Sequence, residues 1–591
     1  MFGQKKDKLA RFRARFGQNP LEQAGIHAAR ERLAQVRIFH EVMKKPDDYD
    51  EYSMDDVTWS DLEMDEVFLR INNTRCYIGE QVLYETLHSG STDFFRQNRD
   101  WMEKLAEDES SRLELEYRLD GAGKKQESYY LPEFFGSAGM LGPEHTWVYR
   151  ILQIILECAL LLAIVFRTTP FFILLACSSL VNFIVYIHVK MKHDVLLSSI
   201  GGLGGMLDVC SWCLNQKEIP LPVENDLRLG WEKVKGLRRK IGKFVYARQS
   251  SVSGDPIGLL YVYLLGITLI DVSRLSGILK MIEENRETVE KLYRFVGRMD
   301  TAISILSFRE SVPTWCHPEM EETGDVGERL KEAPAVLRQA KMEDTSESVR
   351  ESVKEAPAVL RQAVMEDTSE SAENGQQGSP EGAGKIRAAG LYHPLLRSPV
   401  CNDFCLTDRA IITGANASGK STFMKALAVN TVLAQTIDTC CAESFSLPAM
   451  KVMTSMAIRD DVVTGESYYV REVKYLKRML DVIASGKRTL CIIDEILKGT
   501  NQKERLAASE AVLSYIARCP GYCIIATHDL ELVEKLKDKY VPYFFESIIE
   551  QGTVTFNYKI KPGLGGDTNA LALLRAFDFP GEILEEAYAR V

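Results

Sequence analysis

The spacing of apolar and polar residues divides the chain into a helical half, two long apolar runs and a C-terminal third of mixed pattern. Within residues 20–145, apolar side chains recur at helical spacing, as in LEQAGIHAARERLAQVRIFHEVMKK from Leu21, which predicts amphipathic helices. From Gly390 onward, short apolar runs alternate with helical patterns. This alternation predicts the strands and helices of an α/β domain.

The two long apolar runs predict a pair of membrane-spanning helices. Ile151–Phe166 contains a single charge, Glu157, and Pro170–Val189 is a run of 20 residues without Lys, Arg, Asp or Glu. A helix rises 1.5 Å per residue, so about 20 residues cross the hydrocarbon core of a bilayer. The three-residue break between the runs favours a tight hairpin and contains one charged residue, Arg167, whereas lysines flank the pair. The positive-inside rule therefore predicts a tight hairpin whose two flanks are cytoplasmic.

A pair of buried helices in a soluble core is the alternative explanation of these runs. Glu157 favours it, because a carboxylate in the middle of a membrane costs about 2.5–3.5 kcal/mol. A third apolar run, Ile257–Ile270, has only 14 residues, which is short for a membrane span and predicts a core helix. The basic stretch Lys233–Lys243 precedes it and fits a lipid-headgroup face, a nucleic-acid face or a plain solvated helix.

Composition narrows the class of protein. The 591 residues carry a net charge of −11, which argues against a general nucleic-acid coat protein but leaves room for a local basic face. The thirteen cysteines are scattered and predict a reducing compartment. Cys210 and Cys213 have the spacing of a metal or redox pair, but no second pair lies nearby, so we expect buried structural cysteines. The basic N-terminus lacks the apolar segment of a secretory signal and predicts a helix that is solvated or lies near anionic lipid.

An acidic stretch at 319–386 contains a tandem repeat. The sequence KEAPAVLRQAKMEDTSES from Lys331 recurs from Lys354 with one change, at a period of 23 residues. Two copies do not make a solenoid, and the richness in Glu, Ser, Gly and Ala is typical of a linker or a surface insertion.

A phosphate-binding loop opens the C-terminal third. The predicted strand Arg409–Thr413 is followed by GANASGKST, from Gly414 to Thr422. The glycines at 414 and 419 let backbone N–H groups turn towards phosphates, Lys420 reaches the β- and γ-phosphates, and the Ser421 hydroxyl coordinates Mg²⁺. The loop, with Thr422 at its end, therefore predicts binding of ATP with Mg²⁺.

Two further strand ends supply candidate catalytic residues. The apolar run TLCIIDE ends in Asp494, which we expect to hold Mg²⁺, and Glu495, which we expect to polarise the attacking water as general base. His528 follows the next apolar run, Ile524–Thr527, and is placed to contact the γ-phosphate. The plain alternative is that these polar residues only end their strands.

These motifs resemble, in order and spacing, the ATPase domain of the MutS mismatch-repair family, a relative of the ABC ATPases. The resemblance covers residues 390–591 and rests on GANASGKSTFMKAL, DDVVTGESYYVREV, CIIDEILKGT and ATHD. It implies that Asn416 binds the nucleotide and that the segment around Ser467 reaches across a homodimer to the partner's ATP. Other positions that match the family pattern are Asp460, Asp461, Gly465, Glu472, Gly499 and Thr500.

The resemblance extends more weakly into the N-terminal half. Asp55–Leu62 and Gly79–Leu83 are similar to the start of the MutS core and lever region. The chain shows no N-terminal mismatch-reading domain and no Phe-x-Glu wedge, and it looks like the shorter bacterial MutS-like proteins that carry transmembrane segments. DNA as a partner therefore stays open. A soluble repair or recombination ATPase that binds mismatched DNA, and a scaffold with a vestigial ATPase, are the rival functions.

The sequence thus predicts a mostly α-helical N-terminal half with a transmembrane hairpin, followed by a C-terminal α/β P-loop ATPase domain. The predicted function is a membrane-anchored, ATP-driven switch that dimerises and hydrolyses ATP at composite sites. The predicted regions are a helical core-like region (1–145), the hairpin (146–192), a helical lever-like region (193–318), the acidic insertion (319–388) and the ATPase domain (389–591).

Overall fold

The computed structural model describes most of the chain, and the statements below concern that part. The described ranges are 2–44, 52–90, 93–135, 146–216, 219, 221–252, 263–321, 384–415, 417–456, 468–499, 501–550, 553–565, 574–575 and 579–589. Both copies of the tandem repeat lie outside them. So do several residues that the sequence analysis singled out, namely Asn416, Asp460, Asp461, Gly465, Ser467 and Thr500.

The N-terminal half is helical, as the sequence predicts. Its helices are α1 (Phe2–Arg15), α2 (Ile26–Glu31), α3 (Leu33–Met43), α4 (Asp56–Asp61), α5 (Met64–Ile71), α6 (Tyr77–Ser89), α7 (Asp93–Gln97), α8 (Arg99–Glu107), α9 (Glu109–Asp120), α10 (Thr146–Phe166), α11 (Thr169–Lys192), α12 (Asp194–Asn215), α13 (Asn225–Val252), α14 (Ile270–Glu284) and α15 (Arg286–Glu310). Two short 3₁₀ turns, Pro20–Glu22 and Gln126–Tyr130, join some of them.

The centre of this half is the contact between α6 and α15. Gly79 lies directly against Asp300, and a Cβ on Gly79 would lie 2.2 Å from the Asp300 carboxylate. That carboxylate accepts the backbone N–H groups of Arg75 and Cys76, each at 2.8 Å, and so caps the start of α6. Only glycine allows this approach, which explains its place in the Gly79–Leu83 segment.

Helices α10 and α11 form the predicted hairpin. They turn at Arg167, whose φ is 49°, and Pro170 stands in the first turn of α11, where a missing N–H costs nothing. Small side chains, including Ala159, Ala163 and Ser178, are buried where the helices meet, a packing typical of membrane helices.

Most of the hairpin surface is apolar and exposed. Trp147–Phe166 and Thr169–Lys192 are long and apolar enough to cross a membrane, and only 17% and 11% of their most apolar windows are buried. The alternative of two buried core helices therefore fits poorly, and Glu157, which favoured it, is itself exposed. The large exposed apolar side chains are Trp147, Ile151, Ile154, Ile155, Leu160, Leu161, Ile164, Val165, Phe166, Phe172, Ile173, Leu174, Leu180, Val181, Ile184, Ile187 and Met191.

The third apolar run differs from the expected core helix. Within its described part, 263–268 is helical, and the helix is interrupted at Leu269, where φ is 51°. Leu265 and Leu269 are buried as expected, whereas Tyr263 and Leu264 are about half exposed, at 53% and 51%. The interruption separates residues 263–268 from α14. These residues pack against the two hairpin helices, α10 and α11.

Strands of two sheets build the C-terminal region. They are β1 (Glu319–Glu321), β2 (Ile386–Leu391), β3 (Asn402–Leu406), β4 (Arg409–Gly414), β5 (Ser444–Pro448), β6 (Lys451–Ser455), β7 (Thr489–Asp494), β8 (Tyr522–Ala526), β9 (Val541–Glu550) and β10 (Thr553–Pro562). The helices among them are α16 (Lys420–Ile437), α17 (Tyr468–Ala484), α18 (Gln502–Ile516), α19 (Leu530–Leu536) and α20 (Gly581–Tyr588).

The larger sheet has the strand order β10-β9-β4-β8-β7-β6. All its described pairs are parallel except β9 with β10. The smaller sheet has the order β1-β5-β2-β3. Its strand β1 comes from the first three residues of the predicted acidic insertion and pairs in parallel with β5.

The helical half docks onto the C-terminal region through several contacts, two of which involve buried carboxylates. Asp61 of α4 accepts hydrogen bonds from the Thr454 hydroxyl at 2.7 Å and the Met456 N–H at 3.0 Å, beside β6. Asp438, at the C-terminal end of α16, accepts from Arg99 at 2.5 Å and from His317 Nδ1 at 2.7 Å. Burial alone would raise the pKa of Asp438, but these partners hold it below its ordinary value.

Candidate functional site

The site lies where three neighbouring strands end. Strands β4, β8 and β7 are adjacent and parallel, so their carboxyl ends meet at one edge of the sheet, the usual position of ligand sites in such sheets. Gly414 ends β4, Asp494 ends β7, and His528 is the second residue after the end of β8. Motifs that are far apart in the sequence therefore lie close together at this edge of the sheet.

The loop after β4 has the backbone geometry of a phosphate cradle. Gly414 and Gly419 have φ values of 143° and 107°, which disfavour any side chain. A Cβ on Gly414 would meet the Phe545 carbonyl oxygen at 2.9 Å. Helix α16 begins at Lys420, directly after Gly419, so its unpaired N–H groups and positive dipole end face the loop.

Two buried side chains of the loop, Ser418 and Lys420, are placed to bind an anion. The Ser418 hydroxyl is buried with no hydrogen-bond partner among the described residues. Lys420, only 5% exposed, donates to the carbonyl oxygens of Gly414 and Ala415 at 2.8 and 2.9 Å. Burial lowers the pKa of Lys420, and the charges of Asp494 and Glu495 oppose that shift. An anion in the loop would give both side chains partners.

Ser421 and Asp494 form the predicted metal pair. The Ser421 hydroxyl donates to an Asp494 carboxylate oxygen at 2.6 Å. Among the described residues there is no group of three or more His, Cys, Asp or Glu side chains arranged as a metal site. A cation here would therefore take two oxygens from the protein and the others from phosphate and water, which is how Mg²⁺ binds at nucleotide sites.

Glu495 is held as a carboxylate by two cationic or hydrogen-bonding neighbours. Its Oε1 lies 3.1 Å from His528 Nε2 and its Oε2 lies 3.0 Å from Lys498 Nζ. The hydrogen bond with His528, with a further contribution from Lys498, lowers the pKa of Glu495 to about 2 although partial burial opposes this. His528 Nε2 is also 3.4 Å from Lys420 Nζ, so the predicted catalytic residues lie in mutual contact.

The backbone at Glu495 is strained. Glu495 and Leu497 both have a φ of 57°, a conformation that L-residues rarely adopt and that is often found at functional sites. The Glu495 N–H donates to the Ala526 carbonyl at 3.0 Å, and Leu497 is 4% exposed. These contacts fix the turn that aims the Glu495 carboxylate at the loop.

A cavity of about 460 Å³ joins these groups, a volume in the range of small-ligand sites. Tyr558 stands at its mouth beside Gly419, with Cδ1 3.1 Å from the position of a Gly419 Cβ. The cavity is lined at one end by Ala417, Ser418, Gly419, Lys420, Ser421, Thr422, Asp494, Glu495, Lys498 and His528, and at the other by Leu391, Tyr392, His393, Leu396, Val400, Asn402, Phe545 and Tyr558.

The C-terminal region matches known proteins. A family profile described as MutS domain V matches residues 410–591. The DNA mismatch repair protein MutS of Streptococcus sanguinis (strain SK36) is 30% identical over 185 residues, which cover 31% of this chain and 22% of that protein. Residues 410–591 therefore form a domain of the MutS family, the one described as domain V.

Other relatives carry related names. The DNA mismatch repair protein MutS 2 of Haloarcula marismortui is 31% identical over 182 residues, covering 30% of this chain and 19% of that protein. MutS protein homolog 4 of Mus musculus is 29% identical over 216 residues, covering 33% of this chain and 22% of that protein. The chain thus spans about a fifth of the length of these MutS relatives.

The predicted residues of the MutS pattern fall into two groups. The residues of the first group that line one cavity are Gly419, Lys420, Ser421, Thr422, Asp494, Glu495 and His528, and the Gly414 carbonyl accepts a hydrogen bond from Lys420 beside it. Asn416 and Ser467 lie outside the described residues, so their places in the site stay predictions. Sequence reasoning did not point to Lys498 or Tyr558. Lys498 lies in the quoted stretch CIIDEILKGT and a charge three residues after Glu495 was available as a signal, whereas Tyr558 reaches the site only through the fold of β10.

Glu472 has a structural place that its motif did not disclose. It lies on α17, is 1% exposed, and its Oε1 accepts the Lys498 N–H at 3.1 Å. Burial raises the pKa of Glu472. The side chain thereby holds the loop that follows Glu495, without lining the cavity itself.

The remaining predicted site, the Cys210 and Cys213 pair, is structural. Both cysteines are buried on α12, and burial raises the pKa of Cys213 to about 12. A thiol with so high a pKa is a poor nucleophile and metal ligand. The expectation of buried cysteines is confirmed.

Proposed function

We propose that this MutS-family chain is a Mg²⁺-dependent ATPase with a P-loop α/β head, anchored in a membrane by the α10–α11 hairpin. The observation that carries the proposal is the convergence of Lys420, the Ser421–Asp494 pair and the Glu495–His528 pair on one cavity. Each pair alone has a structural explanation. Together they are the parts that phosphoryl transfer to water requires.

The site fits ATP and Mg²⁺ by its own chemistry. The Ser418 hydroxyl lacks a partner, the loop glycines leave room that a Cβ would fill, and the Ser421 and Asp494 oxygens already lie together. Ser421 and Asp494 would hold Mg²⁺, which would supply positive charge to neutralise the phosphates. The N-terminus of α16 adds N–H donors for the same oxygens.

The chain's residues have distinct roles in hydrolysis. Lys420 exchanges its contacts with the Gly414 and Ala415 carbonyls for phosphate oxygens. Glu495 is ionised at neutral pH because its hydrogen bond with His528 lowers its pKa to about 2, so its carboxylate is available to orient and polarise the attacking water. His528 orients Glu495 at 3.1 Å, and its contact with the γ-phosphate is the role predicted from the sequence.

The homodimer is part of this proposal. The described loop supplies donors to one side of a triphosphate, and the catalytic side chains remain partly open, with the Glu495 and His528 side chains 26% and 37% exposed. By resemblance to MutS, the segment around Ser467 of a second copy covers the other side. ATP would then join two heads and hydrolysis would release them.

Membrane anchoring is supported by the exposed apolar surface of the hairpin. Each buried Leu, Ile or Phe gains about 1.5–3 kcal/mol on leaving water, whereas inserting the exposed Glu157 costs about 2.5–3.5 kcal/mol. The summed free energy gained by inserting the many exposed apolar side chains exceeds the cost of inserting the one carboxylate. With both flanks positively charged, we place the ATPase head in the cytoplasm.

A lysine pair on α16 provides a direct test of the nucleotide site. Lys420→Ala should remove both ATP binding and hydrolysis. Lys425→Ala is a matched control, because Lys425 lies on the same helix, pairs with Glu63 at 2.7 Å and does not line the cavity. The proposal fails if the two variants bind and hydrolyse ATP equally well.

The second candidate is a soluble repair ATPase that binds mismatched DNA, and the names of the relatives favour it. It predicts a chain that stays in solution without detergent and binds heteroduplex DNA with a steep dependence on salt concentration. The membrane proposal predicts flotation with vesicles and no such DNA binding. Vesicle flotation and DNA binding, each measured across a salt series, separate the two.

A further inference from the structure

Residues 263–269, hereafter the third segment, pack against the hairpin. The Tyr263 ring stacks on Phe183 of α11, with ring centroids 5.2 Å apart and planes 22° apart. Gly266 lies on the same helix, where a Cβ would be 2.7 Å from Phe183 Cδ2 and 3.0 Å from Tyr186 Cδ1. The missing side chain of Gly266 thus lets the third segment touch α11 directly.

Two amide side chains of the otherwise apolar hairpin bind backbone oxygens of the third segment. Asn182 Nδ2 donates to the Ile267 carbonyl at 2.7 Å, and Gln153 Nε2 donates to the Thr268 carbonyl at 2.9 Å. The interruption of the helix at Leu269 leaves these carbonyls without the partners that a continuous helix would supply.

This arrangement suits a site without water. On a water-exposed surface, solvent would satisfy the carbonyls, and no buried amide would be needed. In hydrocarbon, interrupted backbone is tolerated only where the protein itself supplies the hydrogen bonds. Asn182 is fully buried, and its amide nitrogen donates to the Ile267 carbonyl, whereas Gln153 is partly buried.

The third segment lies at membrane depth along the hairpin. Phe183 precedes Lys192, the end of α11, by nine residues, which is about 13–14 Å along a helix. That is close to half of the roughly 30 Å hydrocarbon core. At its other end, Leu269 packs with Val189 and Val272 near the charged end of α11. The segment therefore rises from mid-depth towards the surface.

Both neighbouring helices return to the same side. Val234 and Leu237 of α13, and Leu275 and Ile278 of α14, are buried in the main helical core. The chain before and after the third segment therefore belongs to one compartment. A run of 14 apolar residues, Ile257–Ile270, is too short to cross and return as two spans.

We propose that the third segment is a re-entrant membrane element, which dips into the bilayer beside the hairpin and presents Tyr263 and Leu264 to lipid hydrocarbon. This inference rests on the proposed membrane anchoring. We expect lipid to contact Tyr263 and Leu264 because their exposed faces continue the exposed apolar surface of the hairpin. A single apolar surface of this kind is expected to be buried by one partner, here the acyl chains of the bilayer.

Site-specific photocrosslinking tests the inference in the full chain. A diazirine analogue of leucine is placed at position 264, at 161 in the hairpin, or at 229 on α13, all of which are exposed leucines at 51%, 62% and 67%. Each protein is reconstituted in vesicles of phosphatidylethanolamine and phosphatidylglycerol, irradiated, and analysed for lipid adducts by mass spectrometry. Because only residues inside the bilayer reach acyl chains, adducts at 264 and 161 should exceed those at 229 by about tenfold.

Each outcome decides a different claim. Lipid adducts at 161 but not at 264 would overturn the re-entrant segment and leave the anchored hairpin intact. No lipid adducts at either position would overturn both the segment and the proposed membrane anchoring. Crosslinks from position 264 to a second copy of the chain, without lipid adducts, would show that this surface is a protein interface and would overturn its contact with lipid.

Discussion

Glu472 acts on the active site from outside it. Its carboxylate accepts the N–H of Lys498, and Lys498 in turn pairs with Glu495 at 3.0 Å. It is a positioning residue, because it does not line the cavity. The geometry of the strained turn between Glu495 and Leu497 therefore depends on a side chain contributed by α17.

Replacing Glu472 by Ala should lower kcat and leave ATP affinity nearly unchanged. The buried N–H of Lys498 would lose its acceptor, at a cost of about 1–3 kcal/mol, and the turn would relax. If about 1.4 kcal/mol of this is felt in the transition state, turnover falls about tenfold. Glu472→Gln keeps an acceptor oxygen and should recover much of kcat. A loss of ATP binding with kcat unchanged would assign Glu472 to the nucleotide instead.

Glu80 is the charged centre of the helical half. It is 1% exposed and accepts hydrogen bonds from Lys124 at 2.6 Å and Asn72 at 3.1 Å. Burial alone would raise its pKa, but the charges of Lys124 and Arg32 outweigh burial and lower the pKa to about 2.

Glu80→Gln should destabilise the helical half in a pH-dependent way. Hydrogen bonds to a charged group typically contribute about 1.5–3 kcal/mol, so we expect a loss of that size near pH 7. Because the folded pKa is depressed from 4.5 to about 2, the stabilisation is complete above pH 4.5 and is lost as the pH falls towards 2. Urea unfolding of both proteins, followed by circular dichroism at several pH values, measures this. A gap that stays constant down to pH 3 would contradict the role of the Glu80 charge.

The linear motifs predicted the residues of the candidate site. They did not predict the contacts that hold these residues in place. Lys420, Asp494 and His528 could be placed together because parallel strands end at one edge of a sheet. The contact of Glu472 with Lys498 joins residues 26 positions apart through the packing of α17. Tyr558 reaches Gly419 through a left-handed backbone at φ 55° in an irregular part of β10. Neither the Glu472–Lys498 contact nor the approach of Tyr558 to Gly419 can be predicted from a local sequence pattern.

At the scale of elements, the hairpin contains natural probes of its surroundings. Cys158 of α10 and Cys177 of α11 are both exposed on the protein surface. Protection of these thiols from an aqueous reagent therefore cannot come from the protein interior. It would have to come from whatever covers the hairpin.

We expect Cys158 and Cys177 to react slowly with a charged maleimide in intact vesicles and rapidly after the bilayer is dissolved in an unfolding detergent. Cys405, exposed on β3 in the C-terminal region, is the control and should react rapidly in both conditions. Peptide mass spectrometry reports each site separately. Rapid labelling of all three cysteines in intact vesicles would show that the hairpin is not inserted.

The elements also show where pattern reasoning ends. Length and hydropathy were enough to predict the two long apolar helices of the hairpin, whereas their insertion in a membrane stays a prediction. The third apolar run was expected to be a core helix, yet its helix is interrupted at Leu269. The donors that satisfy the freed carbonyls are Gln153 and Asn182, 115 and 85 residues away. A prediction from local hydropathy cannot include hydrogen-bond donors that lie so far away in the sequence.

At the scale of the whole molecule, a chain of packed helices connects the nucleotide loop to the hairpin. Helix α16 begins at the loop and ends at Asp438. Arg309 of α15 donates to the Asp438 carbonyl at 2.9 Å. Helix α14 directly precedes α15 and follows the third segment on the hairpin. If the proposed function holds, these contacts would transmit a shift of α16 on ATP binding to the hairpin.

Catalysis should require two chains, and mixing two inactive variants tests this. Lys420→Ala removes the loop's lysine, and Ser467→Arg blocks the segment expected to serve the neighbouring chain. With random pairing, half the dimers are mixed and each has one intact site, so activity should return to about a quarter of wild type. If verified mixed dimers stay inactive, the composite site is wrong.

The central claim is that the cavity hydrolyses ATP with Glu495 as general base. The most direct measurement compares wild type and Glu495→Gln, as full chains in vesicles with Mg²⁺, for ATP binding and for steady-state phosphate release. Removing a general base typically costs 10²–10⁴-fold, so the variant should bind ATP as wild type does and release phosphate at least about a hundredfold more slowly. Equal phosphate release by both proteins, or none by wild type despite ATP binding, would contradict the account.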